Sequence, residues 1–195
     1  RPVVVNEPNS KIYHLDFSSL APQLGGSAFA QTLGYVGSDV PTVANAAYFR
    51  SAFAAVQSMV QEGILLAGHD ISAGGLITAL LEMCFANTEG GLSVQLDNLG
   101  AANLVQQLFA ENPAVLVQVA YKDEARFNAI LAEHGVKATA LAMPTEERHI
   151  LVEKDGAEYQ FFIDHLRDVW YSTSFLLDEH QSFHGKAAER FRNYK

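Results

Sequence analysis

The sequence predicts an α+β fold, a mixed β-sheet packed with helices. Three observations carry this: strand-like and helix-like segments alternate, a hairpin near the carboxyl end turns at Asp155-Gly156, and the loops are of uneven length. Alternation alone would suit a parallel, doubly wound sheet. The hairpin requires antiparallel neighbours, and the uneven loops break the regular strand–helix rhythm.

In chain order, KIYHLDF (11–17) places Tyr13, Leu15 and Phe17 on one side, the two-residue period of a half-buried strand. SAFAQTLG reads as a short helix with Ser27 near its start and Gly34 as its stop. From Thr42 to Glu62 the periodicity is helical, with Phe49, Phe53, Val56 and Val60 on one apolar stripe and Gly63 ending it. ILLA (64–67) is a short, fully apolar strand, and GGLITALLEMCFA is a helix apolar over most of its surface, hence deeply buried. GLSVQLD is a strand, AANLVQQLFAE a helix and AVLVQVA a second buried strand. KDEARFNAILAEHG is a helix closed by Gly135, followed by the strand VKATALA. RHILVEKDGAEYQFFI is the hairpin, and DHLRDVWYSTSFLLDEHQ a helix carrying Trp170.

The chain has 195 residues, 49% of them hydrophobic, enough for one compact domain with a real core. No apolar run approaches the roughly 20 residues of a membrane span. The opening RPVVVNEPNS has neither an initiator methionine nor a signal-peptide pattern and is expected to continue from a longer polypeptide. Cys84 is the single cysteine, which excludes a disulfide framework and a thiolate zinc cluster and fits a reducing, cytoplasmic setting. The net charge of −9 argues against nucleic acid as a partner. The charge is uneven: Lys186, Arg190, Arg192 and Lys195 against Glu189 give the tail a local +3 and leave −12 for residues 1–183. Such a tail reads as a solvated linker rather than an RNA-seeking arm.

The chemistry concentrates in LAGHDISAGGL (66–76). If ILLA is a strand, His69, Asp70 and Ser72 emerge at its carboxyl end, where ligands of α/β sheets bind. Gly74 and Gly75 let a ligand approach the backbone, and the following helix start offers unpaired N–H groups and a positive dipole end to an anion. A carboxylate there repels bare phosphate, whereas Mg²⁺ bridges carboxylate and phosphate oxygens. An Mg–nucleotide site is therefore the specific reading. The plainer alternative is that Asp70 or Ser72 caps the helix, and on residue types alone it outweighs the site. His69 taken singly reads as a packed, hydrogen-bonded histidine. LGGSAFAQ is a second glycine-led helix start without a neighbouring acid, and the other histidines show no metal-ligand spacing. Asp70 is the only well-placed acid near the motif, so either no metal binds or another domain completes the site.

Three segments together, LGGSAFAQTLG, FRSAFAAVQSMVQEGILLAGHDISAGGLITALLEMCFA and HLRDVWYSTSFLLDEHQ, resemble one family. The region from about Ile12 to Gln181 is similar to the second carboxyl-terminal domain in the synthetase region of the large phosphoribosylformylglycinamidine synthases, of the aminoimidazole-ribonucleotide-synthetase-like superfamily. The most specific marker is HDxSxGGL-x-x-x-L-x-E-M-x-F-A at His69–Ala86. The resemblance implies the superfamily's C-terminal-domain fold over 1–181, with 182–195 starting a linker toward a glutaminase domain. It implies a part in the ATP-dependent conversion of formylglycinamide ribonucleotide and glutamine to formylglycinamidine ribonucleotide, in purine biosynthesis. It implies Mg²⁺ and ATP or ADP as cofactors, Asp70 as metal ligand, and Ser72 and Gly74 as nucleotide contacts. Companion synthetase domains and the glutaminase domain of the same polypeptide are the implied partners. Where the family usually has an acid before the paired glycine, this chain has Ala73. Cys84 lies mid-helix, a structural setting, so no catalytic residue is expected and the domain alone should be inactive. Two alternatives stand beside this reading. One is a domain of aminoimidazole ribonucleotide synthetase, selenide-water dikinase or thiamine-phosphate kinase; the other is a nucleotide-free interaction module.

Overall fold

The computed structural model describes residues 3, 4 and 6–193. Arg1, Pro2, Val5, Tyr194 and Lys195 lie outside that description, and with them the last charge of the basic tail. The element order is β1 (Ser10–Asp16), α1 (Ala28–Thr32), α2 (Ala46–Glu62), β2 (Leu65–Ile71), α3 (Gly75–Phe85), β3 (Gly91–Gln95), α4 (Leu104–Phe109), β4 (Ala114–Ala120), α5 (Glu124–His134), β5 (Thr139–Thr145), β6 (His149–Lys154), β7 (Ala157–Phe162), α6 (Ile163–Gln181) and α7 (Lys186–Asn193).

The strands form a seven-stranded sheet in the order β2-β4-β1-β5-β3-β6-β7. β3 and β6 run parallel, and the other described pairings are antiparallel, which makes the sheet mixed as expected. Helices cover both faces. Ala52, Ala55 and Met59 of α2 and Phe127, Ile130 and Leu131 of α5 pack on Tyr13, Leu15, Val117 and Val119. On the other face α3 supplies the largest share of the core, with Leu108 of α4, Ile163 of α6 and Ile12, Leu92, Leu116 and Val152 from the sheet. Because β1 lies between β4 and β5 with both faces covered, it is not the half-buried strand of its two-residue pattern: Ile12 is as buried as Leu15.

Three local expectations change. α2 begins at Ala46 rather than Thr42, since the Asn45 side chain accepts the Tyr48 N–H at 3.0 Å and fixes the helix start. The stripe predicted to face the core is rotated: Phe53 is 52% and Val60 56% exposed, while Ala52, Ala55 and Met59 are buried. Small side chains let the helix lie close on the sheet, and that proximity outweighs the burial of larger residues one position away. β2 does not end at Ala67. Its ladder with β4 continues through His69↔Leu116, Asp70↔Val115 and Ile71↔Ala114, because backbone pairing on an edge strand tolerates side chains that reach solvent.

The hairpin forms as expected, with Asp155 at φ 52° and Gly156 at φ 76°, the geometry of a two-residue type I′ turn. The segment after Gln181 contains α7, held on α6 by Arg190 pairing with Asp178 and by Phe191 stacking on Tyr171 with ring centroids 5.7 Å apart. No helix among the described residues is long and apolar enough to cross a membrane.

Candidate functional site at the β2–α3 turn

The motif straddles the edge of the sheet. His69 faces α3: its Nδ1–H donates to the Asp70 carbonyl at 2.7 Å, and its Nε2 lies 3.3 Å from Glu82 Oε2. Glu82 is the sole charged residue of α3, and its other oxygen accepts the Trp170 indole N–H at 3.2 Å. The Trp170 ring sits 5.4 Å from Phe85, so this side chain helps to dock α6 on the motif helix, alongside Ile163 and Leu166 in the shared core. His69 is thus a packed, hydrogen-bonded histidine, as its sequence context suggested.

Asp70 shares the opposite face with its partner Val115, on the side of α2. Its side chain is 75% exposed, and among the described residues its ion partner is His69, at 3.8 Å. It borders an open groove of about 480 Å³ between α2 and the β2 edge, walled by Val56, Val60, Leu65 and Val117. The carboxylate therefore points away from the molecule, across an apolar surface.

Ser72 is exposed, and its carbonyl accepts the Gly75 N–H at 3.0 Å to close the turn. Gly74 has φ 88° and Gly75 φ 72°, conformations an L side chain rarely adopts. A Cβ on Gly75 would also stand 2.7 Å from the Leu108 carbonyl oxygen and the Phe109 Cα, so the turn lies directly on the end of α4. Neither Asp70 nor Ser72 caps α3, which has no side-chain cap. The capping alternative is not realised.

The Gly74 amide does have a partner, one that no local sequence signal identified. Glu111 Oε1 accepts the Gly74 N–H at 2.8 Å and, with the same oxygen, the Ala28 N–H at 2.8 Å. The acid missing beside LGGSAFAQ is supplied from the far side of α4. Ser27 completes the α1 start by accepting the Ala30 N–H at 3.2 Å. Gly74 thus contributes shape rather than a free amide. Glu82 was also missed, although a lone charge in an apolar helix is a signal that could have found it.

On the α3 face a cavity of about 200 Å³ opens beside the turn, between Ile71 and Leu76, with His14, Asp16, Asn98 and Gln107 in its wall. Burial holds His14 below the usual imidazole range, and Asp16 only partly offsets this. Gln107 donates to the Gly100 carbonyl at 2.9 Å and leaves its buried Oε1 without a partner among the described residues. Cys84 is buried, and desolvation pushes its thiol up to about 12, which matches the structural role expected of it. Among the described residues no group of three or more His, Cys, Asp or Glu side chains is arranged to hold a metal ion. A hard cation bound at Asp70 would therefore find no cluster of further acidic ligands among the described residues.

Residues 7–154 match the family model described as AIR synthase related protein, C-terminal domain. The chain is 33% identical over 171 residues to a probable phosphoribosylformylglycinamidine synthase, chloroplastic/mitochondrial, of Arabidopsis thaliana, covering 87% of this chain and 12% of that protein. It is 31% identical over 190 residues to the human phosphoribosylformylglycinamidine synthase, covering 93% of this chain and 14% of that protein. The chain thus spans only about an eighth of the length of these curated relatives. Among solved structures, PurL of T. maritima complexed with FGAR has a TM-score of 0.68 at 20% identity, over 85% of this chain and 29% of that one. The same protein complexed with ATP has a TM-score of 0.65 at 18% identity, over 85% and 27%. The hydrogenase maturation protein HypE in complex with ATP is more distant, with a TM-score of 0.53 at 17% identity over 80% of this chain and 50% of that one. These similarities in fold, together with the family match across three quarters of the chain, agree with the mixed sheet and its glycine-rich edge turn: the chain belongs to the AIR synthase related proteins, as a C-terminal domain of that family.

Proposed function

We propose that this domain is part of a phosphoribosylformylglycinamidine synthase and supplies one wall of an Mg–nucleotide site. The observation that carries the proposal is the identity of 31–33% with such synthases over nearly the whole chain. The exposed Asp70 carboxylate at the sheet edge, not consumed as a helix cap, supports it. So does the fold shared with a PurL complexed with ATP. Asp70 offers a metal ligand, Ser72 an exposed hydroxyl for the nucleotide, and Gly74 a turn without a side chain that allows close approach.

The domain's own residues bind and orient; none is positioned to do chemistry. When bound, Mg²⁺ and the nucleotide supply charge neutralisation at the phosphates and, in a turning-over site, the phosphoryl group that activates an amide oxygen. In this reading the whole enzyme converts formylglycinamide ribonucleotide, glutamine and ATP to formylglycinamidine ribonucleotide in the cytoplasm. A glutaminase domain of the same polypeptide supplies the ammonia. The remaining metal ligands come from a companion synthetase domain, for which the apolar groove along α2 and the β2 edge, with Asp70 on its border, is a suitable seat. The segment 182–195 leads toward the glutaminase domain and carries α7 on the way.

The test is nucleotide retention by the intact synthase. Asp70→Asn is expected to abolish magnesium-dependent protection by ADP against thermal unfolding. Retention equal to the parent protein would defeat the assignment and leave the interaction-module reading.

A further inference from the structure

The geometry points to Glu111 as a positioning residue for this site, acting through the Ser72–Gly75 turn; the inference rests on the nucleotide-site reading above. One carboxylate oxygen, Oε1, accepts two backbone N–H groups at 2.8 Å each, from Ala28 at the start of α1 and from Gly74 at the start of α3. These are two glycine-led helix starts, far apart in sequence, and Glu111 ties both to the end of α4.

The surrounding contacts make a bracket of residues 109–112. The Phe109 ring stacks on Phe29 of α1 with centroids 4.6 Å apart. The Phe109 backbone fills the space a Cβ on Gly75 would take. Asn112 accepts the Gln23 N–H at 3.0 Å and donates to the Ala21 carbonyl at 3.0 Å and to Ser18 Oγ at 3.1 Å. The loop 18–29 and the turn 72–75 are therefore registered to the same four residues. Within that bracket Glu111 makes the polar link to the turn. α3 has no side-chain cap of its own, so without Glu111 the Gly74 amide loses its protein acceptor at the point where the chain reverses. The exposed Ser72 and the strand end carrying Asp70 are immediately upstream and move with that turn.

Positioning and charge make opposite demands on two conservative variants. Glu111→Gln keeps an acceptor oxygen at the same reach and removes the charge. Glu111→Asp keeps the charge but withdraws the oxygen by one methylene, too far to serve both amides. In the intact synthase, Glu111→Gln should hold Mg·ADP within about threefold of the parent protein. Glu111→Asp and Glu111→Ala should weaken it by about tenfold or more, the range for loss of charge-assisted hydrogen bonds. Amide exchange should report the same order, with Gly74 and Ala28 protected in the parent and Glu111→Gln proteins and faster in Glu111→Asp. If Glu111→Ala does not fold, the Gln and Asp pair decides. The inference is overturned if Glu111→Asp binds like the parent, or if Glu111→Gln fails alongside it. Loss of binding in Asp70→Asn with full binding in Glu111→Asp removes only the role of Glu111. Unchanged binding in Asp70→Asn removes the site itself.

Discussion

At the scale of single residues, the molecule separates groups that look alike on paper. His69 and His14 are both histidines among apolar neighbours, yet His69 is engaged by the Asp70 carbonyl and Glu82, while burial holds His14 below the usual imidazole range. The depressed value has a definite sign. Below the ordinary imidazole range near 6.5 the unfolded chain takes up a proton at this position that the folded chain resists, so the unfolded state gains relative to the native one as pH falls. The contribution of His14 is fully present above that range and is lost as pH drops through it. Urea unfolding at pH 7.5 and pH 5.5 should show a smaller loss of stability for His14→Gln than for the parent chain; an unchanged loss would assign the pH effect to other groups. Asp70 differs from both in standing largely in solvent, with His69 at 3.8 Å as its ion partner among the described residues.

At the scale of elements, the β2–α3 junction is a tightly constrained piece of backbone. Gly75 combines φ 72° with van der Waals exclusion by Leu108 and Phe109, so a methyl group there meets both backbone strain and a steric wall. The left-handed conformation alone costs an ordinary residue about 1–2 kcal/mol, and α4 must shift as well. Gly75→Ala should therefore lower unfolding free energy by more than about 2 kcal/mol in chemical denaturation. Gly156→Ala in the hairpin, where nothing lies within 4 Å of the added methyl, should cost only the conformational part. Equal losses for the two variants would show that packing on α4 adds nothing. α6 belongs to the same unit, since Trp170 joins it to α3 through Glu82.

At the scale of the whole molecule, helices lie on both faces of the sheet, but the β2 edge, the outer side of α2 and most of β7 stay exposed. Phe53 and Val60 stand more than half exposed beside the groove that carries Asp70. In the function proposed above, companion domains complete the ligand set beside this apolar groove. The isolated 195-residue chain should consequently bind Mg·ADP more weakly than about millimolar, because one carboxylate and one hydroxyl return only a few kcal/mol against the freedom lost on binding. Micromolar binding by titration calorimetry would mean that the site is complete within this chain.

What the sequence determined by itself was whatever depends on near neighbours. The alternation of apolar periods set the order of strands and helices, Asp155-Gly156 set the hairpin, and the apolar run from Leu76 to Phe85 set a buried helix. Its motif strings also sufficed to indicate the family. The tertiary structure alone decided what depends on distant partners. The face of α2 that meets the sheet follows from how closely Ala52 and Ala55 allow two backbones to approach, and hydrophobicity along the helix does not encode that. The extension of β2 through Asp70 follows from a ladder with β4, a strand more than forty residues later. Glu111 reaches the motif only because α4 ends against Gly75; in the sequence it is an ordinary acid before Asn112-Pro113. A hydrogen bond needs an acceptor within about 3 Å, and only the packed chain brings that oxygen to both glycine-led turns.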